Sequence, residues 1–505
     1  MTAPTSTAAS ANHPSFALST SLFLRALALI HAIAFGSLWT QLPGLIGPHG
    51  ILPANTYLAA VREHLGASAY AQLPTLAWFF GTDAFPHVLC AVGLAAAAFL
   101  FAGFVPAVCL GVLWIAYLSL VGVGQIFLGF QWDALLLETT LLALFLVPRA
   151  LRLPWSGVEP SRIAHFLLTW LLVRLMLLSG AVKLASGDPA WRDFTALTFH
   201  YETQPLPNPL AWWAHQLPTS FHRASCVGMF VIEFVAPLLL FAPRTLRHNA
   251  ALLLAALQIA IALTGNYTFF NLLTFVLCLL HLDDAWWRQL LHAAVLRRLP
   301  SPAVCHPIDD KHPFRLHRVL RGLALAAATA VILYTGIQML PSLGLRARTP
   351  DWFASLSAHV APFRSLNNYG LFAVMTTSRP ELIIEGSNDA REWHAYELPY
   401  KPGALSRRPP VVAPHQPRLD WQLWFAALGA PEHNRWVLSL GEHLLRGTPD
   451  VLALFAHNPF SDRPPRYLRI VRYDYHFTTA TEHARTGQWW RRTPIDYYVQ
   501  PISLR

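Results

Sequence analysis

The sequence predicts an α-helical polytopic membrane bundle of about nine spans followed by a mainly β C-terminal domain. Three observations carry that expectation. Nine apolar runs lie between residues 18 and 340, and a helix of about 20 such residues crosses a hydrocarbon core. Charged residues make up only 13% of the 505-residue chain, against roughly 25% in soluble domains. Beyond residue 341 the apolar runs stop, and charges and prolines return at ordinary soluble density.

The runs are 18–39, 88–104, 106–122, 126–147, 163–182, 226–241, 250–263, 269–281 and 319–340. A mean hydropathy of +0.38 is more apolar surface than one soluble core can hide. Residues 1–17 are expected to be disordered. They carry no Lys or Arg, and the run after them is too long for a signal-peptide core, so it is read as a retained helix. The seventh and eighth runs are short and meet at the Gly265-Asn266-Tyr267-Thr268 turn, which suits a hairpin or a re-entrant pair.

Charge fixes direction. The net charge of +10 is not gathered on a soluble face, so it points to topology rather than to nucleic acid. Arg149, Arg152 and Arg162 flank one connection, and Arg244 and Arg247 another. Arg288, Arg297, Arg298, Lys311, Arg315, Arg318 and Arg321 crowd a third. Two spans separate each loop from the next, so all three share the cytoplasmic side by the positive-inside rule. The 342–505 domain then lies on the other side. Loop 183–223, with Trp191, Trp212, Trp213 and several prolines, is expected to cap the bundle at headgroup level. Of the 37 basic residues only Lys183, Lys311 and Lys401 are lysine, a bias that suits a GC-rich, bacterial genome.

After residue 341 the periodicity changes. Segments 381–387, 393–400, 467–477 and 495–499 read as strands, and Asn388-Asp389 as a turn. Segments 419–428 and 450–456 read as helices. The Glu385-Gly-Ser-Asn-Asp-x-x-x-Trp393 pattern is similar to a strand pair of galactose-binding-like sandwiches. The five cysteines, Cys90, Cys109, Cys226, Cys278 and Cys305, all precede this domain, so no disulfide framework is expected in it.

Several strings resemble the lipase maturation factor family. They are Phe130-Gln-Trp-Asp-Ala-Leu-Leu-Leu-Glu138, Arg174-Leu-Met-Leu-Leu-Ser-Gly-Ala-Val-Lys183 and Thr198-Phe-His-Tyr-Glu-Thr-Gln-Pro-Leu-Pro207. Others are Thr264-Gly-Asn-Tyr-Thr-Phe-Phe-Asn-Leu-Leu273, Tyr369-Gly-Leu-Phe372, Tyr400-Lys-Pro-Gly403 and Pro414-His-Gln-Pro-Arg-Leu-Asp-Trp-Gln-Leu-Trp-Phe-Ala-Ala-Leu-Gly429. The resemblance implies a membrane-anchored, chaperone-like factor that helps secreted lipases reach their active state. In eukaryotic relatives it implies the endoplasmic reticulum, with the polar domain in the lumen. A bacterial copy would sit in the cytoplasmic membrane and face the periplasm. The Ser179-Gly-Ala-Val-Lys-Leu string also resembles the membrane region of vitamin K-dependent carboxylases, where a lysine after such a span sits at the active site. The alternative is therefore a membrane enzyme with Lys183 near its centre.

Candidate residues follow. Asp133, Glu138, Arg174, Lys183, Glu233 and Asn271 are polar groups inside spans, where ionisable side chains are costly and paired or functional. Arg174 and Lys183 are natural partners for the acids, and Asn271 for a neighbouring helix. Lys183 is either a base or a lysine reaching the outer interface. His200 and Glu202, in a loop read as exposed, could do acid–base work or cap the bundle. His415, Gln416, Arg418, Asp420, Trp421 and Trp424 bind client if exposed, and pack the C-terminal domain if buried. The Asn266-Tyr-Thr sequon sits too close to the membrane for modification. No Gly-x-Ser-x-Gly, Walker, His-Glu-x-x-His or Cys-x-x-Cys motif occurs, and no internal repeat suggests a transporter. No cofactor and no metal site are expected, the 23 histidines being scattered. The sequence leaves the client and the oligomeric state open.

Overall fold

The computed structural model describes residues 14–80, 84–147, 150–291, 314–345 and 350–504. Nine helices among these residues follow the nine apolar runs. They are α1 (Ala17–Trp39), α2 (Phe85–Ala102), α3 (Pro106–Val123), α4 (Gln131–Leu144), α5 (Arg162–Ala185), α6 (Thr219–Leu239), α7 (Arg244–Thr264), α8 (Phe270–Leu279) and α9 (Phe314–Ser342). Seven are long and apolar enough to cross a membrane; α4 and α8 are shorter. The fourth run breaks because Gly129 and an extended Phe130 separate a 3-10 turn, Gln125–Leu128, from α4. With 14 residues, α4 is about 21 Å long at 1.5 Å per residue.

The helices close a ring. Each of α1 to α8 packs on the next, α8 returns to α1, and α9 lies outside against α5. Their facing sides share one apolar core that extends into the C-terminal region. The expected disorder at 1–17 falls mostly on residues 1–13, outside the described residues. Ser15 is tied down, its hydroxyl donating to Asp284 at 2.7 Å.

The two ends of the ring differ. Arg162, Arg244, Arg247, Asp283 and Asp284 gather at one end, where Arg244 pairs with Asp283 and the Leu18 amide donates to Asp284. Arg149, Arg297, Arg298, Lys311 and Cys305 lie outside the described residues. The C-terminal region covers the opposite end, reaching Ser37 on α1, Gln41 just after it, Asp133 on α4 and Asn266 before α8.

That region holds a four-stranded antiparallel sheet in the order β2-β1-β3-β4. Its strands are β1 (Pro380–Ser387), β2 (His394–Ala395), β3 (Tyr467–Phe477) and β4 (Trp490–Ile502). It is the one sheet among the described residues, so the second sheet of a galactose-binding-like sandwich is not found there. Instead α10 (Arg418–Ala427) packs on β1. The strand expected over 393–400 shrinks to two residues, because Glu397 leaves the ladder to bridge His457.

Loop 183–223 forms three short helices, Pro189–Arg192, Leu197–Thr203 and Pro209–His215. It lies at the end of the ring that the C-terminal region covers, and residues 201–208 are buried rather than exposed. The sheet covers them. Trp212 inserts among Ile383, Tyr475, Phe477 and Trp490, and Trp191 is buried near Phe230, leaving Trp213 exposed.

Candidate functional site

The acidic side chains picked out on α4 and α6 form separate buried ion pairs, with Arg174, Lys183 and Arg418. Glu138 on α4 pairs with Arg174 on α5, both buried. Its other carboxylate oxygen accepts from the Asn367 amide at 3.0 Å and from the Tyr369 hydroxyl at 2.7 Å. Arg174 in turn donates to the Asn367 carbonyl at 2.8 Å. One buried ion pair of the bundle is thus completed by two residues from beyond α9. Desolvated charges need such additional partners to be tolerated.

Asp133 does not pair with either expected cation. Arg418 of α10 reaches it at 3.1 Å, while Tyr117 of α3 donates to the same carboxylate. The Arg418 amide also donates to the Gln41 side chain at 2.8 Å. Ser37 supports the neighbouring residues, with His415 Nδ1 at 2.9 Å and the Gln416 amide donating at 2.9 Å.

Five of the six client-binding candidates therefore sit inside the protein. Gln416, Arg418, Asp420, Trp421 and Trp424 are buried and His415 is half-buried. They are not an exposed patch, because α10 is clamped between sheet and bundle. Asp420 caps the 400–401 turn by accepting the Tyr400 and Lys401 amides at 2.9 and 2.8 Å, and burial pushes its carboxyl up to about 6. Trp424 Nε1 donates to the Thr203 carbonyl at 3.1 Å.

Lys183 lies near the C-terminal end of α5 and reaches both oxygens of Glu233 on α6, at 2.8 and 2.9 Å. The two helices approach closely because Gly180 faces Glu233 and Phe234; a Cβ there would stand 3.0 Å from the Phe234 ring. Next to Lys183 the chain crosses Val182 at Gly370, whose φ is +151° and where an added Cβ would stand only 2.6 Å from Val182, so a side chain is disfavoured. Phe372 follows, its carbonyl accepting from Trp191 at 2.8 Å. The Tyr369-Gly-Leu-Phe string is thus a strap over α4 and α5.

His200 is partly buried beside this pair, with Nε2 at 2.9 Å from the Tyr267 hydroxyl. Burial and the nearby Lys183 charge lower its pKa to about 4. Glu202, two residues on, points the other way. It accepts the Phe477 amide at 2.9 Å and lies 3.2 Å from His476 Nδ1. The structure does not bring His200 and Glu202 to one point. Asn271 on α8 donates to Gln258 of α7 at 2.9 Å.

Other residues carry the same lock. Arg379 donates to the Glu202 and Pro205 carbonyls at 2.6 and 2.9 Å and pairs with Glu381, which also holds Lys401. Asn266 of the sequon is buried. Its side chain donates to the Pro410 carbonyl at 2.9 Å and accepts the Val412 amide at 2.8 Å, so the turn is already engaged. Among the described residues no three His, Cys, Asp or Glu side chains cluster as a metal site.

Fold and site together define a polytopic membrane protein in which the buried charges of α4 are closed by the chain's own C-terminal region. Two family descriptions match it in chain order: a lipase maturation factor transmembrane domain over residues 18–289 and a lipase maturation factor C-terminal domain over residues 365–500. The chain is 38% identical to human lipase maturation factor 2 over 96% of its own length and 82% of the relative. It is 37% identical to the mouse protein of that name, over 96% and 83%, and 35% identical to bovine lipase maturation factor 1, over 97% and 89%. No solved structure matches it. The chain belongs to the lipase maturation factor family.

Proposed function

We propose that this protein is a membrane maturation factor that assists folding and assembly of lipases or similar exported proteins. The observation that carries the reading is similarity to named lipase maturation factors over nearly the whole chain, across both halves that the Asp133–Arg418 pair joins. All nine helices cross the membrane in this reading, with α4 and α8 as short crossings deepened by their neighbours. Residues 18–341 form the membrane domain and 342–505 the extracytoplasmic one, with 183–223 at the headgroup level between them. The arginine-rich end faces the cytoplasm, so the capped end meets clients in the lumen of the endoplasmic reticulum, or in the periplasm of a bacterium. The buried strap and clamp hold the sheet in one orientation over the bundle, and the client contacts the exposed surface of that assembly.

Deletion of the gene tests the proposal. Secreted lipase activity is expected to fall while total lipase protein stays near its normal level, with recovery on re-expression. Unchanged lipase activity in the deletion strain overturns it.

A further inference from the structure

Helices α5, α6, α7 and α8 enclose a cavity of about 510 Å³ beneath the strap. Sites for small molecules run from roughly 300 to 1,000 Å³. Its walls are mainly apolar, with Leu175, Met176, Ile232, Leu257, Ile261 and Phe270 among them. Two polar stations interrupt these walls. At the first, Lys183 and Glu233 face each other beside His200. At the second, Asn271 donates to Gln258, whose own amide meets the Met176 sulfur at 3.8 Å. A thioether is a weak acceptor, so this amide has donor capacity to offer.

Charge and position narrow the occupant. Lys183 and Glu233 cancel, and His200 is held neutral by burial. A charged head would have to break the ion pair and leave one buried charge uncompensated. A neutral head keeps the pair and uses the amide. The cavity wall reaches the surface between α6 and α7, where Phe221 and Ala260 are exposed. Only a third of the apolar windows of α6 and α7 is buried inside the protein. In a bilayer that face meets hydrocarbon, so membrane amphiphiles are what reaches the opening. The volume suits one chain rather than two.

We propose that this cavity binds a neutral amphiphile with a single hydrocarbon chain, entering sideways from the bilayer between α6 and α7. Its hydrogen-bonding head meets the Gln258–Asn271 and Lys183–Glu233 stations, and its chain lies along the apolar walls. The inference rests on the cavity alone and is independent of any effect on lipases.

Photolabelling of the full-length protein in lipid nanodiscs tests it. The probes are a diazirine-bearing monoacylglycerol, the corresponding fatty acid, and a two-chain phosphatidylcholine with the same tag. Saturable labelling by the monoacylglycerol is expected, with crosslinks on α6 and α7 and weaker labelling by the other two. Gly228 lines the cavity, and a Cβ there meets nothing within 4 Å, so Gly228→Trp fills the space without backbone strain. Its labelling should fall by about tenfold or more, equivalent to about 1.4 kcal/mol, while its unfolding midpoint stays put. Ala260→Trp is the second filling variant, for use if Gly228→Trp does not fold. Equal labelling of a folded filled variant overturns the proposal. So does preferred labelling by the fatty acid or the phospholipid. Absence of lipid labelling, with saturable binding of an apolar peptide instead, overturns it in favour of a protein segment.

Discussion

Arg418 holds Asp133 through two guanidinium nitrogens at 3.2 and 3.1 Å, although 285 residues separate them in the chain. The pair fixes α10 to α4, and so the sheet to the bundle. Arg418→Met leaves a buried carboxylate without its cation, which costs about 3–5 kcal/mol. Adding Asp133→Leu removes the orphaned charge and should restore much of that loss, since apolar replacement of buried pairs is often neutral. Thermal unfolding in detergent, with protease cleavage across 404–413, measures both. A double variant as unstable as the single one would refute the pairing.

Tyr369 tests the strap separately. Its hydroxyl donates to Glu138, a carboxylate that also holds Arg174 and Asn367. Tyr369→Phe keeps the ring and removes one hydrogen bond to a charged acceptor, for a loss of about 1.5–3 kcal/mol. In Glu138→Gln the same Tyr369→Phe change should cost less, because the acceptor is then neutral. Equal costs in the two backgrounds would mean the hydroxyl does not reach the carboxylate.

Much of the bundle was legible because span length and loop charge are local properties. Eight of nine runs became helices with shifted ends, and the fourth broke at Gly129, where a helix former is missing. That Arg174 and Lys183 would meet carboxylates was legible too, since acids and bases in apolar helices must meet something, but which carboxylate each takes was not. Nor was the partner of Asp133. Arg418 lies in a polar segment whose composition reads equally as an exposed patch or a packed helix, and only the fold decides. The same holds for loop 183–223, whose Trp191 and Trp212 suit a headgroup layer as well as a protein interior. The helix Ala480–Thr486 was missed although Thr479 and Glu482 form a capping box. The helix Trp436–Arg446 was missed as well, and Trp393–Tyr400 was overread as one strand. Its alternation continued after the chain had left the ladder.

His200 gives the structure a pH dependence of known direction. Its folded pKa, about 4, lies below the roughly 6.5 of an unfolded histidine. Between those values the unfolded chain binds the proton and the folded one does not. Stability from this group is therefore complete above about pH 6.5 and is lost as pH falls toward 4. The slope approaches about 1.4 kcal/mol per pH unit. His200→Gln can still bond Tyr267 but cannot charge, so its unfolding midpoint should vary less over that window. His215, which faces Glu202, remains in both proteins, as do the other histidines, so the difference isolates His200. Parallel curves for the two proteins would remove His200 from the account.

Lys183 and Glu233 allow the holding role to be separated from a chemical one. Lys183→Met strands Glu233 among apolar walls, and Glu233→Met strands Lys183, so each single change should cost about 3–5 kcal/mol. The double change to Met leaves no charge behind and should recover most of the stability. If the pair serves to fasten α5 to α6, the double variant also restores lipase activity in the deletion strain, because the fold is what clients need. A lysine that acts as a base cannot be replaced by a thioether. A double variant that folds like the wild type yet leaves lipase activity at the deletion level would therefore assign Lys183 a role beyond fastening. The exchanged variant, Lys183→Glu with Glu233→Lys, adds a further separation: it keeps a buried pair but moves the amine to α6. Full function there fits fastening, whose strength depends on the product of the two charges and their separation and not on which helix carries which.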